Sequence, residues 1–323
     1  MKLPVIVLTP VKNESWILKQ FLFVTSQFAD AIIIADQFSV DESREIVSSC
    51  PKTILIENPN PEYDEAYRQV LLINKARELF AGPKCLLALD ADEILTASSL
   101  QASFWSNLHR YAPGTVLTFE KPDILCPADL CIRHQQYFKL GYIDDGAPHQ
   151  GRKFHSVRVP VPPGASHVPI SDVKFMHFAL ARPKEYRARQ RLYSVQENLK
   201  NNSSFYHRLQ SYSPRVNDYL QLHSASPTPA DWLTQWEKND INLRSLPSTE
   251  LNSYNDQTLE LLLKHGPSRF YLDDIWDIDW ETYRSPMRKP GTHLQQPLLS
   301  KLFLAGVIQL LRAKNRFNSI NTA

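Results

Sequence analysis

Over the first ninety residues, short aliphatic runs alternate with longer stretches of helical pattern. The runs are Val5–Leu8, Ala31–Ala35, Thr53–Ile56 and Cys85–Leu89. This alternation is the signature of an α/β fold built on a mostly parallel sheet with crossover helices. Between the last two runs, Tyr63, Ala66, Val70, Ile73, Ala76 and Phe80 recur at steps of three and four, which predicts a helix. Its other side carries Arg68 and Lys75, seven residues and therefore about two turns apart.

After Leu95 the pattern changes. A short helix is predicted over Ser99–Leu108 and a strand over Thr115–Phe119, followed by an irregular, insertion-like stretch to about Gly164. A basic helix is expected after Pro183, because Arg182, Lys184, Arg187, Arg189 and Arg191 face only Glu185. Residues Asn201–Ser226 read as polar loop, and the remainder, rich in Trp, Asp and Pro, shows no pattern that assigns a fold. We therefore expect a catalytic domain over residues 1–200 and an irregular, partly helical C-terminal extension over residues 201–323. No internal repeat or low-complexity segment is visible.

Composition narrows the function. The 323 residues include 36 basic and 34 acidic side chains, a net charge of +2, so no overall field attracts a polyanion and nucleic acid is not an expected partner. Four cysteines (Cys50, Cys85, Cys126 and Cys131) are too few for a disulfide scaffold and suggest reduced thiols in a cytoplasmic protein. The apolar run Leu3–Leu8 is too short for a signal-peptide core and reads as a first strand. No stretch reaches the roughly 18 apolar residues of a membrane span. The best, Leu302–Leu311, holds Gly306 and Gln309 and is followed by Arg312, Lys314 and Arg316. Such a helix can make a peripheral membrane contact, or it can dock as a closing helix or subunit contact. Of nine glycines the first is Gly82, so neither a dinucleotide fingerprint nor a P-loop exists in the N-terminal quarter.

In an open parallel sheet, ligands bind beyond the carboxyl ends of the strands. After the first run comes Thr9-Pro10-Val11-Lys12-Asn13-Glu14, after the second Asp36-Gln37-Phe38-Ser39-Val40-Asp41, and after the fourth Asp90-Ala91-Asp92-Glu93. Asp41 and Ser39 also suit helix capping. The fourth set is the most specific. Two carboxylates at positions one and three of a turn can reach one hard cation, Mg²⁺ or Mn²⁺, bridging to a diphosphate. Asp92 would then be the direct ligand, with Asp90 facing a ribose or the metal shell. A second D-x-D, Asp277-Ile278-Asp279, does not follow a strand of the α/β series.

Taken together, these three motifs resemble the successive donor-site motifs of family 2 glycosyltransferases, which have the GT-A fold. The similarity covers about the first hundred residues, in matching order and spacing. It implies an inverting transferase that takes a sugar from a nucleotide-diphosphate donor to a saccharide or other hydroxyl acceptor. Thr9, Pro10, Val11 and Glu14 would line the nucleoside pocket, Asp36 would contact the base, and Asp90 and Asp92 would serve diphosphate and metal. Gln37 and Phe38 depart from the small or amide residues commoner in the second motif, and no clear acidic pair marks the base. Some members of the family supply a histidine as a further metal ligand. His177, in the apolar run Val173–Phe178, is the candidate here, with His155 as competitor.

Other residues have two readings each. Arg68 and Lys75 could neutralise a leaving diphosphate or simply face solvent. Asp144 and Asp145, before Gly146, are the acidic candidates for a general base, with Glu120 as fallback, but Asp-Asp-Gly is also an ordinary turn. Phe270, Tyr271, Trp276 and Trp280, interleaved with Asp273, Asp274, Asp277 and Asp279, suit sugar stacking or close a core. Two rivals remain: a haloacid-dehalogenase-like phosphatase with Asp90 as nucleophile, and a non-catalytic sugar-binding or membrane-binding adaptor of the same fold.

Overall fold

The computed structural model describes residues 3–125, 128–153, 155–200, 203–213, 215–216, 225–246, 253–283 and 293–320. Cys126 lies outside the described residues. The chain divides into two compact units, Met1–Ala181 with Ser226–Ser248, and Arg182–Ala225 with Thr249–Ala323.

In the first unit the four aliphatic runs form β1 (Val5–Val11), β2 (Ala31–Asp36), β3 (Thr53–Glu57) and β4 (Cys85–Ala88), paired in parallel in the order β4-β1-β2-β3. The connections are α1 (Ser15–Thr25), α2 (Ser43–Ser48) and α3 (Glu65–Leu79), the last capped by Asp64, which accepts from Tyr67 N at 3.0 Å. Val5, Val7, Ile32 and Ile34 join a core with Ile17, Phe21 and Leu22 of α1, while Ile6, Leu8, Ile33 and Leu86 join Leu72, Ile73 and Ala76 of α3. Both faces of the sheet are covered, which is why these strands read as continuous aliphatic runs rather than alternating ones.

The sheet does not end at β4. It continues through β9 (Phe138–Ile143), β6 (Val116–Glu120), β10 (His167–His177), β7 (Asp123–Ile124) and β8 (Leu130–Ile132), and β5 (Glu93–Leu95) pairs antiparallel with β10. The stretch expected to be irregular contributes the short strands β7, β8 and β9, too short to show a period, while its described residues from 144 to 164 carry no strand. β9 runs antiparallel to both β4 and β6, so β6 and β10 point the same way as β4. Gly141 permits that insertion. A Cβ there would lie 2.9 Å from Leu117 Cβ and 3.0 Å from Leu87 Cδ2, closer than side chains pack.

Ser226–Ser248 belongs to this first unit, in contrast to the 201–323 division expected from pattern. Trp232, Leu233 and Trp236 enter its main core, and the Trp236 indole donates to Leu95 O at 2.8 Å. The other boundary falls at Arg182 rather than residue 200.

The second unit is helical, with α5 (Pro183–Lys200), α6 (Phe205–Tyr212), a helix over Ser253–His265 and a C-terminal helix over Leu298–Ile320. α6 lies where only loop was expected. Phe270 and Trp280 are core residues with Val195, Leu259 and Ile275, and the Trp276 and Trp280 indoles donate to Phe270 O and Ile275 O. The neighbouring carboxylates are engaged as well. Asp273 accepts from Arg208, Asn198 and Ser194, Asp274 from Ser213 and Arg215, and Asp277 from Arg191. Asp279 accepts from Glu281 N at 3.0 Å. Trp280, Asp273 and Asp274 thus build this unit's interior, while Asp277 and Asp279 of the second D-x-D stay exposed, held by Arg191 and by Glu281 N. No described helix is long and apolar enough to cross a membrane.

The reversal of β9 removes Asp144 and Asp145 from the carboxyl ends of β1, β2 and β4. Asp144 N donates to Lys84 O at 2.8 Å, at the amino end of β4. Its carboxylate accepts from Arg77 Nη2 at 2.7 Å and from Lys84 Nζ at 3.0 Å. Burial alone would raise its pKa, but these two cations hold it below the ordinary carboxylate value. Asp145 accepts from the Tyr142 hydroxyl at 2.5 Å and from Ala147 N at 2.9 Å, in a turn that continues through Gly146 at φ 87°. Both residues are structural. Asp144→Asn is expected to lower stability by about 3 kcal/mol, because Arg77 and Lys84 lose their counter-charge. A depressed folded-state pKa contributes stability above the unfolded value and loses it as pH falls through the folded one. The gap between wild type and variant in denaturant melts should therefore be full at neutral pH and close below about pH 4. A variant of wild-type stability, or one whose deficit grows with acid, contradicts this assignment.

Candidate active site at the strand ends

The carboxyl ends of β1, β2, β4, β6 and β10 share one edge of the sheet. The loops after β1 and β2 are laced together there by side chain to backbone hydrogen bonds. Ser39 Oγ accepts from Asn13 N at 2.9 Å, Asn13 Oδ1 from Val40 N at 2.8 Å, Ser43 Oγ from Glu14 N at 2.9 Å and Asp41 Oδ2 from Ser15 N at 3.0 Å. Asp41 thus caps α1 from the neighbouring loop, and Ser39 braces the turn before it. Asn13 and Phe38 hold positive φ, 59° and 55°, a conformation stored at these two turns. Gln37 ties the edge to the next loop, donating to Asn60 O at 2.7 Å and Glu62 O at 2.9 Å.

Within this frame two buried polar atoms lack a hydrogen-bond partner among the described residues, Thr9 Oγ1 and Asp36 Oδ1. Asp36 is buried, and its other oxygen is held by Arg44 at 3.0 Å. An unpaired buried acceptor is costly unless something donates to it. Pro10 and Val11 complete the end of β1, and Glu14 is turned toward its own helix, accepting from the Trp16 indole at 2.7 Å.

The turn after β4 is built around Glu93. This carboxylate is 0% exposed and accepts from Asp90 N at 3.1 Å, Lys121 Nζ at 2.7 Å and Arg158 Nη1 at 2.5 Å. Burial would raise its pKa; Arg158 and Lys121 hold it far below the carboxylate range. Arg158 also reaches the Asp90 carboxylate. Phe178 N donates to Asp92 O at 2.8 Å, which sets the end of β10 beside the turn. His177 Nε2 consequently lies 3.7 Å from Asp92 Oδ2, while its Nδ1 is 2.5 Å from Asp123 Oδ1. A carboxylate only accepts, so Nδ1 carries a proton toward Asp123, and Nε2 is left on the side of Asp92. The second oxygen of Asp123 meets His134 Nε2 at 2.8 Å. Burial would raise the Asp123 pKa, but the two imidazoles hold it well below the usual range, and the bond to Asp123 raises that of His134.

Arg68, in the first turn of α3, belongs to this edge. Its guanidinium lies 5.1 Å from the Tyr63 ring centroid, feels the charges of Asp90 and Arg158, and its buried Nε has no hydrogen-bond partner among the described residues. Lys75 does not belong here. It lies two turns along α3, two residues before the Arg77 that reaches Asp144, and pairs with Glu78 at 2.7 Å. Glu120 is at the correct edge but is held by Arg133 at 2.5 and 2.9 Å. His155 is exposed, at φ 53°.

The structure therefore brings together Thr9, Pro10, Val11, Asp36, Arg68, Asp90, Asp92 and His177. Asp123, His134, Lys121 and Arg158 escaped the sequence reasoning. Asp123 had a legible signal, since it follows the strand predicted at Thr115–Phe119 as the other carboxylates follow theirs. Arg158, inside an irregular stretch, had none.

No protein-family model matches the chain, and no curated protein matches it either. Among solved structures, the crystal structure of HddC from Yersinia pseudotuberculosis complexed with GMP-PN is similar with a TM-score of 0.32 and 11% identity, covering 58% of this chain and 96% of that one. The crystal structure of HddC from the same organism gives a TM-score of 0.33 at 11% identity, over the same shares. At that similarity neither bears on the activity of this chain.

Proposed function

We propose that the first unit is a metal-dependent, inverting glycosyltransferase of GT-A type, moving a sugar from a nucleotide-diphosphate donor to a hydroxyl acceptor. The observation that carries this is the pairing of Asp92 with His177 Nε2 at 3.7 Å, with Asp123 fixing the ring from behind. A carboxylate behind a histidine is how proteins orient an imidazole toward a divalent ion. Among the described residues no group of three or more His, Cys, Asp or Glu side chains could hold a metal ion. Two protein ligands nevertheless suit Mg²⁺ or Mn²⁺, which take substrate phosphate oxygens and water at their other positions. Such an ion would neutralise charge on the departing diphosphate.

The chain's own residues supply the rest. Asp36 Oδ1 and Thr9 Oγ1 offer unmet acceptors to a nucleoside at the ends of β2 and β1. Arg68 can donate from its unpartnered Nε to a phosphate oxygen, and Arg158, now on Asp90 and Glu93, supplies a second guanidinium beside it. Glu93 keeps the Asp90–Asp92 turn rigid, so the carboxylates need not reorganise when charge develops. The low cysteine content supports a reducing, cytoplasmic site of action.

Calorimetry with a panel of nucleoside diphosphates, with and without Mn²⁺, tests this. Wild type should bind one of them in a Mn²⁺-dependent manner. Asp92→Asn and His177→Ala should each weaken that binding by at least the roughly tenfold to hundredfold that loss of an outer-sphere partner costs, with the melting transition retained. Unchanged Mn²⁺-dependent affinity in a folded variant rejects the site.

Asp36→Asn should weaken nucleoside diphosphate binding by about tenfold or more while preserving the ratio of affinities with and without Mn²⁺. Equal affinity would show that Asp36 only anchors Arg44. The reaction class has its own test. Slow release of nucleoside diphosphate from a sugar nucleotide, with no covalent adduct, is expected. Trapping of Asp90 by beryllium fluoride would establish a phosphatase instead, and donor binding without turnover an adaptor.

A further inference from the structure

Glycosyl transfer with inversion needs a base for the acceptor hydroxyl, and the carboxylates at the carboxyl edge are already committed. Glu120 accepts from Arg133 and Glu93 from Arg158 and Lys121, while Asp36, Asp90 and Asp92 serve the donor. Asp144 and Asp145 stand at the other edge. What the carboxyl edge does hold is a second imidazole on the carboxylate behind His177. Asp123 Oδ1 lies 2.5 Å from His177 Nδ1, and Asp123 Oδ2 lies 2.8 Å from His134 Nε2.

Two elements fix His134 there. It follows β8, whose pairing with β7 sets Ile132 opposite Asp123. Phe138, at the start of β9, meets the imidazole edge-on with ring centroids 6.0 Å apart and also lies 4.8 Å from Lys121 Nζ, the cation on Glu93. The ring is thus held between His177 and the Lys121–Glu93 pair. Its tautomer follows from the bond to Asp123. A carboxylate only accepts, so Nε2 carries a proton, and the neutral ring keeps its lone pair on Nδ1. That nitrogen has no hydrogen-bond partner among the described residues. The His134 side chain is 35% exposed against 19% for His177, so it is the histidine of the pair more open to an incoming molecule. The bond to Asp123 also raises the His134 pKa, against burial and the charge of Lys121, and so strengthens the imidazole as a base.

We propose that His134, held by Asp123, is the general base that deprotonates the acceptor hydroxyl; this rests on the transferase reading of the same site. As the hydroxyl proton passes to Nδ1, the hydroxyl oxygen bonds to the anomeric carbon of the donor sugar. The bond from that carbon to the diphosphate oxygen breaks, and its electron pair leaves with the diphosphate. The imidazolium then gives its proton to water. A carboxylate behind the ring holds the required tautomer and stabilises the imidazolium, as in other histidine bases. Asp123 serves both partners, orienting His177 with one oxygen and His134 with the other.

In the test, water takes the place of the acceptor. Release of nucleoside diphosphate from UDP-glucose, UDP-N-acetylglucosamine and GDP-mannose is followed at saturating donor with Mn²⁺, beside calorimetric binding of the diphosphate product. His134→Gln, whose amide can still donate to Asp123, should lower turnover by about a hundredfold to ten-thousandfold. Its Mn²⁺-dependent affinity and its melting transition should stay at wild-type values. His134→Ala should lose turnover to the same degree and regain about tenfold when imidazole is added to the solution. Should His134→Gln not fold, the imidazole response of His134→Ala decides. Wild-type turnover in a folded variant, a fall in turnover matched by an equal fall in Mn²⁺-dependent affinity, or no response to imidazole overturns the assignment and leaves the transferase reading in place. A wild-type protein that neither binds a nucleoside diphosphate with Mn²⁺ nor releases one from any of the three donors overturns that reading, and the base with it.

Discussion

The candidate site depends on one buried carboxylate. Glu93 lies inside the first unit and accepts from the Asp90 backbone, from Lys121 beyond β6 and from Arg158 in the long connection to β10. Two distant parts of the chain are thereby held around the turn that carries Asp90 and Asp92. An ion this buried costs several kcal/mol to desolvate, and only its hydrogen bonds and two cations offset that cost. The arrangement is consequently all or nothing. With either cation removed, the turn would hold an uncompensated charge.

Strand direction does the remaining positioning. Because β9 is antiparallel, β6 and β10 return to the orientation of β4, and Asp123 and His177 arrive at the edge where Asp92 waits. The same reversal sends Asp144 to the other edge. There it neutralises Arg77 and Lys84 at the far end of α3 and β4. One antiparallel strand thus separates the carboxylates that face a ligand from those that hold the scaffold.

The two units use charge differently. In the first, buried charge is concentrated at the strand ends, and the sheet interior is aliphatic. In the second, the pair of Arg208 with Asp273 is buried in the helical core, and Arg215 with Asp274 and Arg191 with Asp277 join a buried partner to a more exposed one. Such pairs restrict helix register more than they stabilise, since burying both ions nearly cancels their attraction. Of the two readings of this Trp- and Asp-rich sequence, sugar stacking or core closure, Phe270 and Trp280 follow the second.

What the sequence determined by itself was the local and the repetitive. Four aliphatic runs fixed β1 to β4, since strands covered on both faces must be continuously apolar. The polar residues after those runs fell at one edge, because parallel strands end together. Asp36, Asp90 and Asp92 were legible for that reason. The tertiary structure alone decided what depends on direction and on distant partners. Strands of two to six residues carry too little period to reveal whether they run up or down, so Asp144 could not be placed. Arg158 and Lys121 became visible only through Glu93, 65 and 28 residues away. A lone charged residue in an irregular segment carries no pattern, and only folding specifies the ion it must neutralise.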